Sequence, residues 1–123
     1  MDQSDWFIQY ANELDQAEAA RKAGNEGMAR VSARRASGII IKGYLVRQGI
    51  YTSTPSAFER LEILIDLPYV TEQVKQVAVY FLLRVNPDYM LPVDVDLIAE
   101  ARWLAQELLG QNLVKTDTTG FGE

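Results

Sequence analysis

The sequence contains no cysteine and no histidine among its 123 residues. The absence of cysteine excludes disulfide bonds, thiolate metal sites and a cysteine nucleophile. The absence of histidine removes the commonest general base, the commonest zinc ligand and any Ser-His-Asp arrangement. Catalysis by this chain would therefore depend on carboxylate, lysine or tyrosine side chains.

Long apolar runs and phosphate-binding glycine motifs are also missing. The longest apolar run, residues 77–83, is far shorter than the roughly 18 residues of a membrane-spanning helix. The acidic N-terminus lacks the basic and apolar regions of a signal peptide. The segment from Gly24 to Gly27 has neither the spacing nor the Lys-Ser/Thr pair of a P-loop. We therefore expect a cytoplasmic protein with no membrane contact and no cofactor.

Charge is unevenly distributed along the chain. Residues 21–47 contain seven of the twelve basic residues and one acid, Glu26, so this segment carries +6 and the remainder −11, for a net charge of −5. The strong negative charge on the rest of the chain argues against loose electrostatic binding to duplex nucleic acid. The simplest interpretation is that acidic neighbours in the fold neutralise the basic segment.

Apolar spacing predicts an all-α fold, an antiparallel bundle of about five helices in a single domain over residues 1–114. The helices are expected to start near Ser4 or Asp5, at Glu26, at Pro55 after a Thr54 cap, at Pro68 or Thr71, and at Asp94 or Asp96. Their predicted ends are Gly24, Gly49, Asp66, Arg84 and Gly110. The polar segment 115–123 is predicted to be a disordered tail.

The second helix has small residues along one side and apolar residues on several others. Its small stripe, which would let a neighbouring helix approach closely, consists of Ala29, Ala33, Ala36, Ile40 and Gly43. Because its C-terminal half is apolar in most directions, we expect it to be the buried helix of the bundle. The third helix is predicted to turn Phe58, Leu61, Leu64 and Ile65 inward.

Two cations on the second helix are candidates for an anion site. At 100° per residue, Arg35 and Lys42 project from the same side as Ile39 and Val46. One hypothesis is a partly desolvated cationic pair that contacts phosphate or another anion. The alternative is that their aliphatic stems cover the core while their charged ends reach solvent or a carboxylate.

Other candidates are weaker. Arg84, at the predicted end of the fourth helix, could contact an anion or RNA. Alternatively, it is a cation stabilised by the helix dipole and paired with Asp88 or Asp94. The carboxylate pairs Asp94 with Asp96 and Glu59 with Glu62 lack the Glu-x-x-His spacing of di-metal bundles, so no metal site is expected. Among the aromatic residues, Tyr80 and Trp103 are the candidates for an oligomer interface.

The order of these features resembles the HEPN domain, named for higher eukaryotes and prokaryotes nucleotide-binding, over about residues 5–110. The resemblance rests on an aromatic-led first helix at Trp6, the Ala-rich second helix with Ile41-Lys42-Gly-Tyr-Leu45 before Gly49, the Leu83-Arg84-Val-Asn-Pro-Asp88 turn, and a closing helix after Asp96. It implies an antiparallel helical homodimer. It also implies a toxin–antitoxin setting, in which such domains often pair with a minimal nucleotidyltransferase.

Many proteins of the HEPN family are metal-independent ribonucleases that use an Arg-x(4–6)-His motif. If Arg84 is the motif arginine, the histidine should fall at Tyr89, Met90 or Leu91, and none of these is histidine. Tyrosine, with an ordinary pKa of about 10, is a poor proton shuttle at neutral pH. The resemblance therefore does not imply catalysis by this chain, and of the catalytic motif only Arg84 is left, as a candidate contact for an anion or RNA.

Three functions follow from these considerations. The first is a non-catalytic HEPN-like binding module, a homodimer that pairs with a nucleotidyltransferase-type or toxin–antitoxin partner. The second is a purely structural oligomerisation domain. The third is a degenerate RNA-binding or RNA-processing protein that uses Arg84, Tyr89 and Lys42. A dimer is expected because the predicted helices offer more apolar surface than one small bundle can cover.

Overall fold

The structure, a computed structural model, describes residues 3–84 and 90–110. This part of the chain forms five α-helices and no strand, which confirms the all-α prediction. The helices are α1 (Gln3–Lys22), α2 (Glu26–Arg47), α3 (Ala57–Asp66), α4 (Glu72–Leu82) and α5 (Leu97–Leu109). None of these helices is both long and apolar enough to cross a bilayer. The predicted tail at 115–123, Asp88 and Tyr89 lie outside the described residues.

Helix α2 lies at the centre and packs against α1, α3 and α5, while α4 packs against α3 and α5. All members of its small stripe are buried, which confirms the predicted close approach of neighbouring helices. The indole of Trp6 lies against Gly43, where an added Cβ would be 3.3 Å from the ring. At Gly38 an added Cβ would be only 2.8 Å from the Cβ of Ala57. The two glycines therefore set the distances from α2 to α1 and to α3.

Most predicted helix ends are confirmed. Thr71 and Asp96 cap α4 and α5, with side chains that accept hydrogen bonds from backbone N–H groups in the first turn. Gly49 and Gly110 have φ values of 77° and 58°, the left-handed conformation that ends a helix.

The predicted start of α3 is wrong. The helix begins at Ala57, and Ser56 is its cap because the Ser56 hydroxyl accepts from the Glu59 N–H at 3.3 Å. The Thr54 hydroxyl instead accepts from the Ser56 N–H at 3.1 Å. Pro55 therefore lies in the turn before the helix. Helix α4 also ends earlier than predicted, at Leu82 rather than Arg84.

The core forms where the apolar sides of the five helices meet. Its fully covered large side chains include Ile40 and Ile41 of α2, Leu64 of α3, Phe81 of α4 and Leu104 of α5. Of the α3 residues that were predicted to point into the core, Leu61 and Leu64 are buried, whereas Ile65 is half-buried.

Phe58 does not point into the core as predicted, because 43% of its surface is exposed. Its ring lies under the guanidinium of Arg34, 4.7 Å from the ring centroid. A cation–π contact at the surface therefore replaces the expected core position.

Candidate basic groove between α1, α2 and α3

The stripe predicted on α2 lies along one open side of the bundle. Arg35, Lys42 and Val46 are exposed, and Ile39 between them is half-buried. The side chains of Arg35 and Lys42 form no ion pair within residues 3–84 and 90–110. Their exposure fits the interpretation in which the charged ends reach solvent. Both side chains also line cavities, so the two sequence hypotheses remain compatible with the fold.

Two adjoining open cavities of about 310 and 420 Å³ lie along this stripe and share Ile39 and Arg60 as lining residues. The first is walled by Trp6 and Gln9 of α1. The second is walled by Pro55, Ala57 and Phe58 at the start of α3. We call the two together the basic groove, after the five cations that line it: Arg34, Arg35, Lys42, Arg47 and Arg60.

Arg60 is fixed where the two cavities meet. Its Nε and Nη2 donate to the Thr54 carbonyl at 3.3 and 3.1 Å, and its Nη1 donates to the Gly38 carbonyl at 3.2 Å. Burial lowers the pKa of Arg60. A guanidinium nevertheless stays protonated in proteins, so the groove contains a positioned and partly desolvated positive charge.

Arg34 and Arg47 are held in the same manner. The Nε of Arg34 donates to the Phe81 carbonyl at 2.8 Å, and the Nη1 of Arg47 donates to the Leu109 carbonyl at 3.2 Å. Burial also lowers the pKa of Arg34. Carbonyl oxygens orient a guanidinium without cancelling its charge, so these contacts fix cations that can still attract an anion.

Among the lining residues, Glu13 supplies the single carboxylate of the basic groove. One of its oxygens, Oε1, is buried and has no hydrogen-bond partner in the described part of the chain. No ion pair joins Glu13 to a groove cation across residues 3–84 and 90–110. Five cations and one carboxylate leave the groove strongly positive on a chain whose net charge is −5.

Acidic neutralisation of the basic segment occurs at Arg21, outside the groove. Arg21 pairs with Glu26 at 2.7 Å and with Asp96 at 3.0 Å, and so joins α1, α2 and α5. The hydrogen bond with Arg21 lowers the pKa of Glu26. Burial acts to raise the pKa of Asp96, but bonds from Arg21 and from the backbone N–H groups of Ala99 and Ile98 outweigh it, so this pKa is also lowered. The ion pairs of Arg21 therefore link α1 to α2 and α5. No acidic side chain in the described part of the chain forms an ion pair with a groove cation.

The remaining predicted site residues lie elsewhere. Arg84 is exposed beyond the end of α4 and does not line the basic groove. Tyr80 and Trp103 are half-buried, and both pack against the core. Glu59 and Glu62 are exposed on α3, and the described residues contain no group of three or more acidic side chains that could hold a metal ion.

Two of the groove residues on α2, Arg35 and Lys42, were candidates from the sequence, whereas Arg34 and Arg47 of the same helix were not. Helical spacing alone places Arg35 and Lys42 on one side of α2. The contributions of Trp6, Glu13 and Arg60 come from other helices and follow from how those helices cross α2. One local signal did exist, since the close Gly38–Ala57 contact that brings Arg60 to α2 requires a glycine in the middle of a helix.

Comparisons of the chain with protein-family models, with curated protein sequences and with solved structures find no match.

Proposed function

We propose that the protein is a non-catalytic binding module of HEPN-like type, a homodimer that pairs with a protein partner of the nucleotidyltransferase or toxin–antitoxin kind. The observation that carries the proposal is the basic groove. Three of its five cations, Arg34, Arg47 and Arg60, are oriented by backbone carbonyls, and it opens to solvent beside apolar walls. Such an arrangement can bind an anionic surface, because positioned charge and apolar contact are what recognition needs.

The residue types in the basic groove support binding over catalysis. The groove offers five cations, Glu13 and aromatic or aliphatic side chains, and the sequence offers no histidine or cysteine to act as base or nucleophile. Fixed cations can stabilise an anion, but general acid–base catalysis also needs a group that exchanges protons near neutral pH. Arginine, which supplies four of the five groove cations, stays protonated in proteins.

Homodimerisation is supported by apolar side chains left exposed on the bundle. Ile8 is 55%, Tyr69 56% and Tyr51 78% exposed. A second copy that covered such residues would remove apolar surface from water. Sedimentation equilibrium at micromolar concentration tests this part, with a dimer expected and a monomer contradicting it.

The partner is tested by capture followed by reconstitution. Tagged wild-type protein and the double variant Arg35→Gln/Lys42→Gln are used to capture proteins from the native host, and each protein identified by mass spectrometry is purified and recombined with both. A partner that binds wild-type protein in purified form supports the proposal. Metal-free RNA cleavage by the purified protein, lost in Arg84→Ala, would contradict it and favour the RNA-processing alternative.

A further inference from the structure

We propose that the basic groove takes an acidic amphipathic helix from the protein partner, aligned with the exposed stripe of α2. This inference rests on the proposed binding function and specifies the chemistry of the partner. The ligand would present carboxylates to Arg35 and Lys42 and apolar side chains to Ile39 and Val46. The groove thereby determines both the charge of the partner and the spacing of its residues.

The spacing follows from the geometry of α2. Arg35, Ile39, Lys42 and Val46 lie on one side of the helix, so cations and apolar residues alternate along it. At about 1.5 Å per residue, the two cations are about 10 Å apart along the axis, and the stripe is about 16 Å long. A second helix that lies alongside α2 repeats these distances when two acids are seven residues apart, with apolar residues interleaved at helical spacing.

Fixed charge gives the groove an advantage over an ordinary basic surface. Arg60 is held by bonds to the carbonyls of Thr54 and Gly38, and therefore loses little conformational freedom when an anion arrives. Arg35 and Lys42 are exposed, and add attraction that screening by salt reduces. A bound carboxylate would also compensate, by charge pairing, for the partial desolvation of Arg60.

The apolar walls and the charge of the chain favour a peptide over a nucleic acid. The groove sets Trp6, Ile39 and Val46 between its cations, and these side chains match aliphatic residues better than a phosphate backbone. Glu13 at the groove, and the charge of −11 on the chain outside residues 21–47, would repel a long polyanion. A short acidic helix carries few negative charges, so this repulsion acts on it less strongly.

The test uses a synthetic helical peptide of about 16 residues, long enough to hold helical structure when bound. It carries two glutamates seven residues apart with two leucines interleaved, on an alanine and glutamine background. A scrambled peptide of the same composition and a Glu→Gln version are the ligand controls. Calorimetry at low and high salt measures Kd with wild-type protein, with Arg35→Gln/Lys42→Gln, and with Lys22→Gln/Lys75→Gln, which makes the same change in net charge outside the groove.

We expect the groove variant to bind about tenfold more weakly, as two lost exposed charge pairs imply, and the Lys22/Lys75 variant to bind within about twofold of wild type. An equal loss of affinity in both variants, or equal binding of the scrambled peptide, would overturn the inference, because net charge alone would then explain the binding. Tighter binding of single-stranded RNA or polyphosphate than of the peptide would overturn it in favour of a nucleic-acid or phosphate ligand.

The outcome is separable from that of the proposed function. A purified partner that binds wild-type protein and Arg35→Gln/Lys42→Gln equally well would leave the binding module standing and refute the groove as its docking site. Lys22, Arg35 and Lys42 are exposed and Lys75 is half-buried, and none of the four forms an ion pair in the described part of the chain, so both double variants should fold. Far-ultraviolet circular dichroism and thermal melting check this.

Discussion

Replacing Gly38 by alanine tests the contact that brings α3, and with it Arg60, against α2. The new Cβ would lie 2.8 Å from the Cβ and 3.1 Å from the Cα of Ala57. Carbon atoms in favourable contact are about 3.5 to 4.0 Å apart, so the overlap is about 1 Å. Because one of the overlapping atoms is backbone, a side-chain rotation cannot relieve it and α3 must move away.

Two effects of the Gly38→Ala substitution oppose each other. Alanine favours a helix interior over glycine by about 1 kcal/mol, while overpacking a close contact costs about 1 to 3 kcal/mol. We expect the overlap to dominate because the contact involves the α3 backbone, so the free energy of unfolding should fall by about 1 kcal/mol. Urea denaturation followed by circular dichroism measures this change.

Gly27→Ala is the matched control for Gly38→Ala. Gly27 also belongs to α2, but its added Cβ would meet only the Asn25 Oδ1 at an ordinary 3.8 Å. This control should therefore stabilise the protein by up to about 1 kcal/mol through helix propensity alone. Ala57→Gly combined with Gly38→Ala should recover part of the loss, since it removes one of the two overlapping atoms. Stabilisation by Gly38→Ala equal to that by Gly27→Ala would refute the tight α2–α3 contact.

Three further predictions concern individual side chains. Arg21→Gln should lower the free energy of unfolding at pH 7 by about 0.5 to 1 kcal/mol. Because Arg21 lowers the pKa of both Glu26 and Asp96, its stabilisation is present above their ordinary values of 4.5 and 3.8 and is lost as the pH falls through the lowered values. The difference between wild type and variant should therefore shrink below about pH 4.5 in urea denaturation; a constant difference from pH 7 to 3 contradicts the pairing. Asp96→Ala should cost about 1 kcal/mol at pH 7, measured likewise, because two N–H groups of α5 lose their acceptor and Arg21 loses one of its two ion pairs; an unchanged midpoint contradicts the cap. Ser37→Ala should raise the melting temperature, because the buried Ser37 hydroxyl has no hydrogen-bond partner in the described part of the chain; destabilisation would show that the hydroxyl is bonded.

Local patterns of sequence were sufficient for the helices and most of their ends. Asp96 and Thr71 are caps because each precedes an apolar-periodic stretch, and their short polar side chains satisfy first-turn N–H groups. The error at Pro55 has a local cause that helical spacing does not reveal. Arg60 donates to the Thr54 carbonyl from within α3, and this bond favours a turn at the position where the sequence predicted a helix start.

Only part of the groove could be predicted from the sequence. Periodicity places Arg35 and Lys42 on one side of α2, but it cannot reveal which side chains of α1 and α3 lie opposite. The inward prediction for Phe58 was wrong because Arg34, 24 residues earlier in sequence, covers its ring. Residues brought together by helix crossing leave no periodic signal in a single sequence.

The most direct test is where an acidic helix binds on the protein, and the two tryptophans of the chain report this position. Trp6 lines the basic groove, whereas Trp103 on α5 does not. In a proton–nitrogen correlation spectrum each indole N–H gives one peak, and the variant Trp103→Phe assigns them. Titration with the acidic peptide should shift the Trp6 peak to saturation and leave the Trp103 peak in place. A shift of the Trp103 peak alone, or of neither peak while calorimetry detects binding, would contradict the account.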